Sequence, residues 1–431
     1  VKAAGERLNR RPLGDFEMSD NHQLEKSLAL GPAIGLAITM VVGSGLLVLP
    51  GLAYSQVGTS AIYAWLISAA AVGPILIIFS SLGSKLPNAG GVAGFMQAAF
   101  GRPAGMASEI LLLGAIPGGA AIAITGGQYF AAILDGSQLA MLLGTGVVLI
   151  AGGLVNYLGA RLSGKIQQYL AFLLVILLLI VAVASLAFGS QSGGMAPLQE
   201  WPKSIPAFGL VFFAFVGWEM MAFTSEEFKN PGRDFPLMMA ASYAIVVVLY
   251  ALITVAVQWI YPPNDPMLVR APIAGMLSIV MGPVSGKLVA GIGFILVLAN
   301  FISVVWAFSR LMFSSAREGL LPQALARLNS QGKIPTRAII TVVVVFGLFV
   351  LAYLFNLVSH SILFELAGIS FFFSYFLAIV VYLKLARTIL QKTLGIFVFG
   401  LTAGLYLSFG PKGFYAIALF LIGLFLSKVR K

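Results

Sequence analysis

Runs of about 20 apolar residues follow one another from residue 29 to residue 428, separated by short loops that carry most of the charge. A run of that length crosses a hydrocarbon layer as a helix, because a helix satisfies its backbone hydrogen bonds internally. The candidate crossings are 29–53, 60–83, 104–133, 139–157, 165–189, 205–226, 235–260, 284–315, 336–356, 361–384, 393–409 and 413–428. Composition agrees. The chain is 59% hydrophobic and 10% charged, where a soluble domain is about a quarter charged. The expected class is an all-α integral membrane protein with twelve transmembrane helices.

Lysine and arginine record which loops face the cytoplasm. With the N-terminus inside, all of the 26 basic residues except Lys203, Arg270, Lys287 and Lys412 fall on cytoplasmic segments. Both termini are therefore expected inside, and the net charge of +11 reads as loop charge of one side and not as a nucleic-acid surface. Residues 1–28 read as a cytoplasmic tail, whether the protein starts at Val1 or at Met18, and lack the apolar stretch of a secretory signal. Cysteine is absent, and the two histidines, His22 and His360, lie far apart. Disulfides and thiolate chemistry are excluded, and no cluster is available for a metal centre or a haem. No cofactor is expected. A membrane enzyme would want facing acids or histidines, and a channel would want polar pore-lining residues; both are disfavoured.

Two of the runs are interrupted. In the first, Thr39 to Gly51 reads TMVVGSGLLVLPG, with Gly43, Ser44 and Gly45 at mid-membrane and Pro50 beyond. In the sixth, FGLVFFAFVGWEMM, Gly209 and Gly217 flank Phe212, Phe213 and Phe215, and Gly217-Trp218-Glu219 ends the apolar pattern. Glycine lowers the cost of leaving helical geometry and proline removes a donor. Irregular backbone at bilayer depth persists only where it is buried in protein or lines a cavity. Taken alone, the first motif also reads as a small-residue packing face. Breaks in corresponding positions of two halves point to the binding site of an inverted-repeat transporter.

A broken helix offers N–H groups at one half-helix start and carbonyls at the other half-helix end. The first suit a carboxylate and the second an ammonium, so two facing breaks suit a zwitterion. The lining expected around them is Val42 to Gly45, Phe213, Phe215, Val216 and Gly217, with Ile116, Pro117 and Gly118 from helix three and Asn300 and Trp306 from helix eight. It is apolar and contains no cation, which favours a small neutral, apolar amino acid; Phe213 and Trp306 also read as packing. A carboxylate at bilayer depth costs about 2.5–3.5 kcal/mol on insertion scales, so Glu219 is expected to act. It can take up a proton and couple a proton gradient to transport, it can act with Trp218 as a gate, or it can be a structural, hydrogen-bonded acid. Glu109 and Glu365 lie near the ends of their runs and are expected to be interfacial and solvated. The loop Ser225 to Pro236 carries alternating charge, either as rearranging ion pairs or as a solvated turn. Lys229-Asn230-Pro231 is expected to close helix six, and Pro236 to open helix seven.

These segments resemble the amino acid–polyamine–organocation superfamily of transporters. The matches are Gly43-Ser44-Gly45 with Pro50, FFAFVGWE from Phe212 to Glu219, EFKNPGRDFP from Glu227 to Pro236, SAREGLLP from Ser315 to Pro322, and PNAGGV from Pro87 to Val92. Within it, the chain is similar to bacterial exporters of methionine and branched-chain amino acids. The resemblance implies a LeuT-like 5+5 inverted repeat of discontinuous helices one and six, with 29–189 as helices one to five, 205–384 as helices six to ten, and 393–431 as two peripheral helices and a short tail. It implies that the Gly43–Gly45 backbone meets the substrate carboxylate, that the backbone from Phe213 to Gly217 meets the amino group, that Phe213 covers the substrate, and that Glu219 gates. Export of methionine, leucine, isoleucine and valine by alternating access is the specific expectation, import or exchange the alternative, and a monomer or homodimer in lipid the expected state. Two departures stand out. Phe172 to Leu179 is wholly apolar where some proton-coupled relatives carry a lysine, and Leu46-Leu47 replaces an aromatic. A sodium site would need hydroxyls, for which Ser303 is the candidate.

Overall fold

A computed structural model describes residues 29–86, 91–134, 136–159, 164–221, 228, 230–329 and 334–429. The expected N-terminal tail, most of PNAGGV, and residues 222–227 and 229 of the charged loop lie outside the described residues. The regular elements are helices. The first run divides into α1 (Leu30–Val41), a 3-10 turn (Ser44–Leu47) and α2 (Leu49–Val57). Then come α3 (Ala61–Lys85), α4 (Gly91–Phe100), α5 (Arg102–Leu113), α6 (Ile116–Ile133), α7 (Gln138–Tyr157) and α8 (Gly164–Phe188). The sixth run divides into α9 (Phe208–Phe212), a 3-10 turn (Phe213–Phe215) and α10 (Trp218–Met221). The rest are α11 (Pro231–Ile260), α12 (Pro272–Met281), α13 (Pro283–Arg317), α14 (Thr336–Leu354), α15 (His360–Leu385), α16 (Ile389–Leu407) and α17 (Phe414–Val429).

Among the described residues, nine helical spans are long and apolar enough to cross a membrane. The first and sixth runs do not reach that length because each is divided, and α8 contributes only its shorter apolar stretch Phe172–Phe188. The order of elements repeats. A divided helix, a long helix, a ten-residue helix and a longer one occur as α1/α2, α3, α4, α5/α6 and again as α9/α10, α11, α12, α13. The corner after each ten-residue helix is built the same way. Gly101 has φ 87° and ψ 174°, and Gly282 has φ 89° and ψ 169°, backbone that side chains rarely adopt. One turn later a Cβ on Gly105 would lie 2.8 Å from the Gln97 side chain, and one on Gly286 2.6 Å from the Ser278 side chain. The motifs FGRPAG and MGPVSG therefore encode one tight helix-to-helix corner twice.

The expectation that Pro231 closes helix six and Pro236 opens helix seven changes. Pro231, not Pro236, opens α11, so Pro236 lies inside the helix and removes one backbone donor there. SAREGLLP is a helix stop: Gly319 N–H bonds Ala316 O at 3.1 Å and Leu320 N–H bonds Ser315 O at 2.8 Å, the paired closing bonds of a Schellman end. Glu318 at that stop pairs with Arg102 of α5 at 2.7 Å.

Candidate functional site: two broken helices

Helix one stops at Val41. Val42 and Gly43 leave helical geometry, Gly43 being extended at φ −85° and ψ −167°, before the 3-10 turn begins at Ser44. Gly43 is small for a reason of space, since a Cβ there would lie 3.0 Å from the Asn300 amide of α13. In helix six, Val216 is extended at φ −89° and ψ 146°. Gly217 follows at φ 136°, a region that is essentially restricted to glycine.

The loose backbone ends find tyrosines. The Tyr250 hydroxyl of α11 lies 2.6 Å from Ala214 O and 3.1 Å from Val41 O, so one hydroxyl joins the end of α1 to the turn of helix six. Tyr129 of α6 donates to Leu47 O at 2.7 Å. Val41 O also accepts from Gly43 N–H at 2.8 Å, whereas Ala214 O and Leu47 O depend on these hydroxyls in an apolar interior, where each unmet bond is costly. The start of α10 is served by its own acid. Glu219 Oε2 accepts from Gly217 N–H at 2.9 Å and from the Tyr375 hydroxyl of α15. Glu219 is 4% exposed, and Oε1 has no hydrogen-bond partner. The acid therefore occupies the positive end of the second half-helix.

Phe213 connects the expected lining. A Cβ on Gly45 would lie 3.7 Å from its ring, and one on Gly118 of α6 3.0 Å from it. Its centroid is 5.0 Å from Phe364 and 6.5 Å from Phe371, both on α15. Gly43, Phe213 and Asn300 are half-buried, while Val42, Gly45, Ile116, Val216 and Gly217 are buried. The structure thus assembles Gly43 with Asn300, and Gly45 with Phe213 and Gly118.

Other expected members lie elsewhere. Phe215 packs on Trp65 and Tyr250, because two residues of a 3-10 turn point to different sides. Trp218 is fully buried and donates to Ser242 Oγ of α11 at 2.9 Å, which ties it to the helix behind the break. Trp306 is 40% exposed, and its ring carries Arg310 at 4.8 Å. It sits about five turns of helix after Leu288, which is also exposed, so it belongs to the outward face of α13 and not to the breaks. Ser303 Oγ bonds its own helix at Ala299 O. Glu365 is not solvated: it is 7% exposed and pairs with Lys412 at 2.6 Å. Glu109 accepts from Ser315 at 2.8 Å.

The model of the amino acid permease family matches residues 30–428. The chain belongs to the amino acid permease family. This permease is 30% identical over 320 residues to the L-methionine/branched-chain amino acid exporter YjeH of Escherichia coli (strain K12), which covers 73% of this chain and 76% of that one. It is 27% identical over 372 residues to the uncharacterized amino acid permease YecA of Bacillus subtilis (strain 168), across 84% and 86% of the two chains. It is 25% identical over 388 residues to the branched-chain amino acid permease BcaP of Lactococcus lactis subsp. cremoris (strain MG1363), across 81% and 82%. Its fold matches the crystal structure of MhsT in complex with L-phenylalanine at a TM-score of 0.63 and 14% identity, covering 93% of this chain and all of that one. This permease is a multi-pass membrane transporter, not an enzyme. Tyr129, Tyr250 and Tyr375 were missed by sequence reasoning. Their signal was available, since a hydroxyl inside an apolar run must find an acceptor.

Proposed function

We propose that this permease moves neutral hydrophobic L-amino acids (methionine, leucine, isoleucine and valine) across the bacterial inner membrane by alternating access, in the direction of export. The observation that carries the reading is the polarity of the paired breaks. At helix six the helix start is already filled by Glu219, so that break offers carbonyls and a carboxylate, which suit an ammonium. At helix one the half-helix start carries no acid in its first turn and faces the Asn300 amide, which suits a carboxylate. Phe213, packed over Gly45 and Gly118, supplies an apolar wall for the side chain. The similarity to YjeH supports this substrate class and export, and the similarity to BcaP supports the branched-chain part of the class; import or exchange on the same scaffold is the second reading.

In this account the chain crosses twelve times, with both termini inside, and its two five-helix halves are inverted with respect to each other. Glu219 couples a proton gradient or gates. Proteoliposome flux of a labelled amino-acid panel, with pH and sodium gradients imposed separately, tests the proposal. Flux of leucine and methionine driven by one gradient supports it. Transport of acidic or basic amino acids alone sinks the substrate assignment.

A further inference from the structure

The connection between α8 and α9 runs from Gly189 to Ala207, since α8 ends at Phe188 and α9 begins at Phe208. It therefore lies at one boundary of the bilayer, where both helices leave the hydrocarbon. Its inner edge is tied down. Ser192 N–H donates to Trp259 O of α11 at 2.9 Å. The Tyr63 hydroxyl of α3 donates to Ala196 O at 2.6 Å, and the Gln56 amide of α2 to Pro206 O at 3.3 Å. Gly193 is packed so closely that a Cβ there would lie 2.6 Å from the Tyr54 hydroxyl of α2 and 2.3 Å from Gln258 O of α11. Because α2 is the second half of broken helix one, the connection clasps one of the half-helices that form the breaks.

The other side of the connection is apolar and exposed. It ends in a 3-10 helix, Leu198–Ala207. Three residues complete a 3-10 turn, so Leu198 and Trp201 share one side, and Glu200 and Lys203 share another. Leu198 is 71% exposed and Trp201 47%, and Met195 just before them is exposed as well. Glu200 and Lys203 pair at 2.8 Å. An apolar side that carries a tryptophan, beside a charged side that carries a lysine, suits a segment lying in the plane of the membrane interface. Position identifies the partner. Ile180, Val183 and Phe188 are exposed on the last turns of α8, where apolar side chains of a span face lipid, and the chain passes from them directly into the connection.

We propose that Met195, Leu198 and Trp201 seat in the lipid leaflet at this boundary, and that the seat steadies the connection that clasps α2. The seat does not depend on which amino acid the transporter carries.

The chain contains no cysteine, so one introduced cysteine carries a spin label at one place. The test uses Leu198→Cys, Trp201→Cys and Lys203→Cys in the full chain, each labelled and reconstituted into liposomes of phosphatidylethanolamine and phosphatidylglycerol, with thermal unfolding to verify folding. Collisions of the label with oxygen, which concentrates in lipid, are compared with collisions with a water-soluble nickel chelate. The oxygen-to-nickel ratio is expected to be several-fold higher for Leu198→Cys and Trp201→Cys than for Lys203→Cys. Nickel dominant at all three positions puts the segment in water and overturns the seat. Oxygen dominant at all three overturns its one-sidedness. Exclusion of both probes at Leu198→Cys, with spin–spin broadening, gives the face to a second copy of the chain and overturns the seat as well. Quenching of tryptophan emission by brominated lipid reads the same contact without a label. It is expected to be weaker in Trp201→Phe than in the wild type, and equal quenching would contradict the seat.

Discussion

Tyr250→Phe removes one oxygen atom from the point where the two broken helices meet. The phenyl ring keeps the edge-on contacts that Tyr250 makes with Trp65 at 5.2 Å and Phe215 at 5.0 Å. What is lost is the donor to Ala214 O at 2.6 Å and its weaker approach to Val41 O at 3.1 Å. Ala214 is 3% exposed, so its carbonyl has no water to turn to. An orphaned buried acceptor costs about 1–3 kcal/mol, equivalent to a roughly 5- to 150-fold shift in an equilibrium. Because the hydroxyl holds the backbone that is proposed to receive substrate, this loss is expected in two places. The unfolding midpoint falls by a few degrees, and the dissociation constant for L-leucine rises within the range above. The assay is leucine binding by the purified variant together with its thermal unfolding with and without leucine. A lowered midpoint with leucine affinity within about twofold of wild type, under 0.5 kcal/mol, would refute the coupling. It would leave Tyr250 as packing alone.

Four further outcomes follow from the same geometry. Gly217→Ala places a side chain at φ 136°, a strain of about 1–3 kcal/mol, and is expected to lower both the unfolding midpoint and leucine transport; normal transport would show that the break relaxes freely. Gly118→Ala puts a methyl 3.0 Å from the Phe213 ring and 2.8 Å from Ala367, so competition assays should show affinity for leucine falling more than affinity for alanine, and an equal loss would move the side-chain wall elsewhere. Trp306→Ala is expected to leave the leucine dissociation constant unchanged, since the ring lies on the outward face under Arg310; a tenfold loss would return Trp306 to the site. Lys412→Met strands the buried Glu365 carboxylate, but the lysine is half-exposed, so solvent screening holds the expected loss to about 1–2 kcal/mol in unfolding; Lys412→Met with Glu365→Gln should recover it.

Much of this was legible in the chain because membrane spans and their breaks are local properties. Gly43, Gly45 and Gly217 stood out against apolar runs, and the backbone leaves the helix at those places. What failed were statements about direction and distance. Phe215 and Trp218 are neighbours of Phe213 in sequence but turn to α3 and α11, because the helix tightens into a 3-10 turn at that point and changes phase. Trp306 shares its apolar run with Asn300, and membership of one run does not say which face of α13 looks inward. Glu365 lies near a helix end yet is enclosed by Lys412 from the α16–α17 connection, a partner that no local pattern indicates. The tyrosines at the breaks belong to the same class, since Tyr250 reaches Val41 across most of the first half of the chain.

The central claim is that the two breaks recognise opposite ends of one zwitterion, and analogue competition against labelled L-leucine flux in proteoliposomes tests it most directly. L-Leucine, L-leucinamide, which lacks the carboxylate, and 4-methylpentanoate, which lacks the ammonium, share one side chain. The account predicts that only the zwitterion competes strongly, each analogue being weaker by about tenfold or more, equivalent to 1.4 kcal/mol. Equal inhibition by either analogue would contradict it, since a break that ignores its end of the substrate is not a binding site.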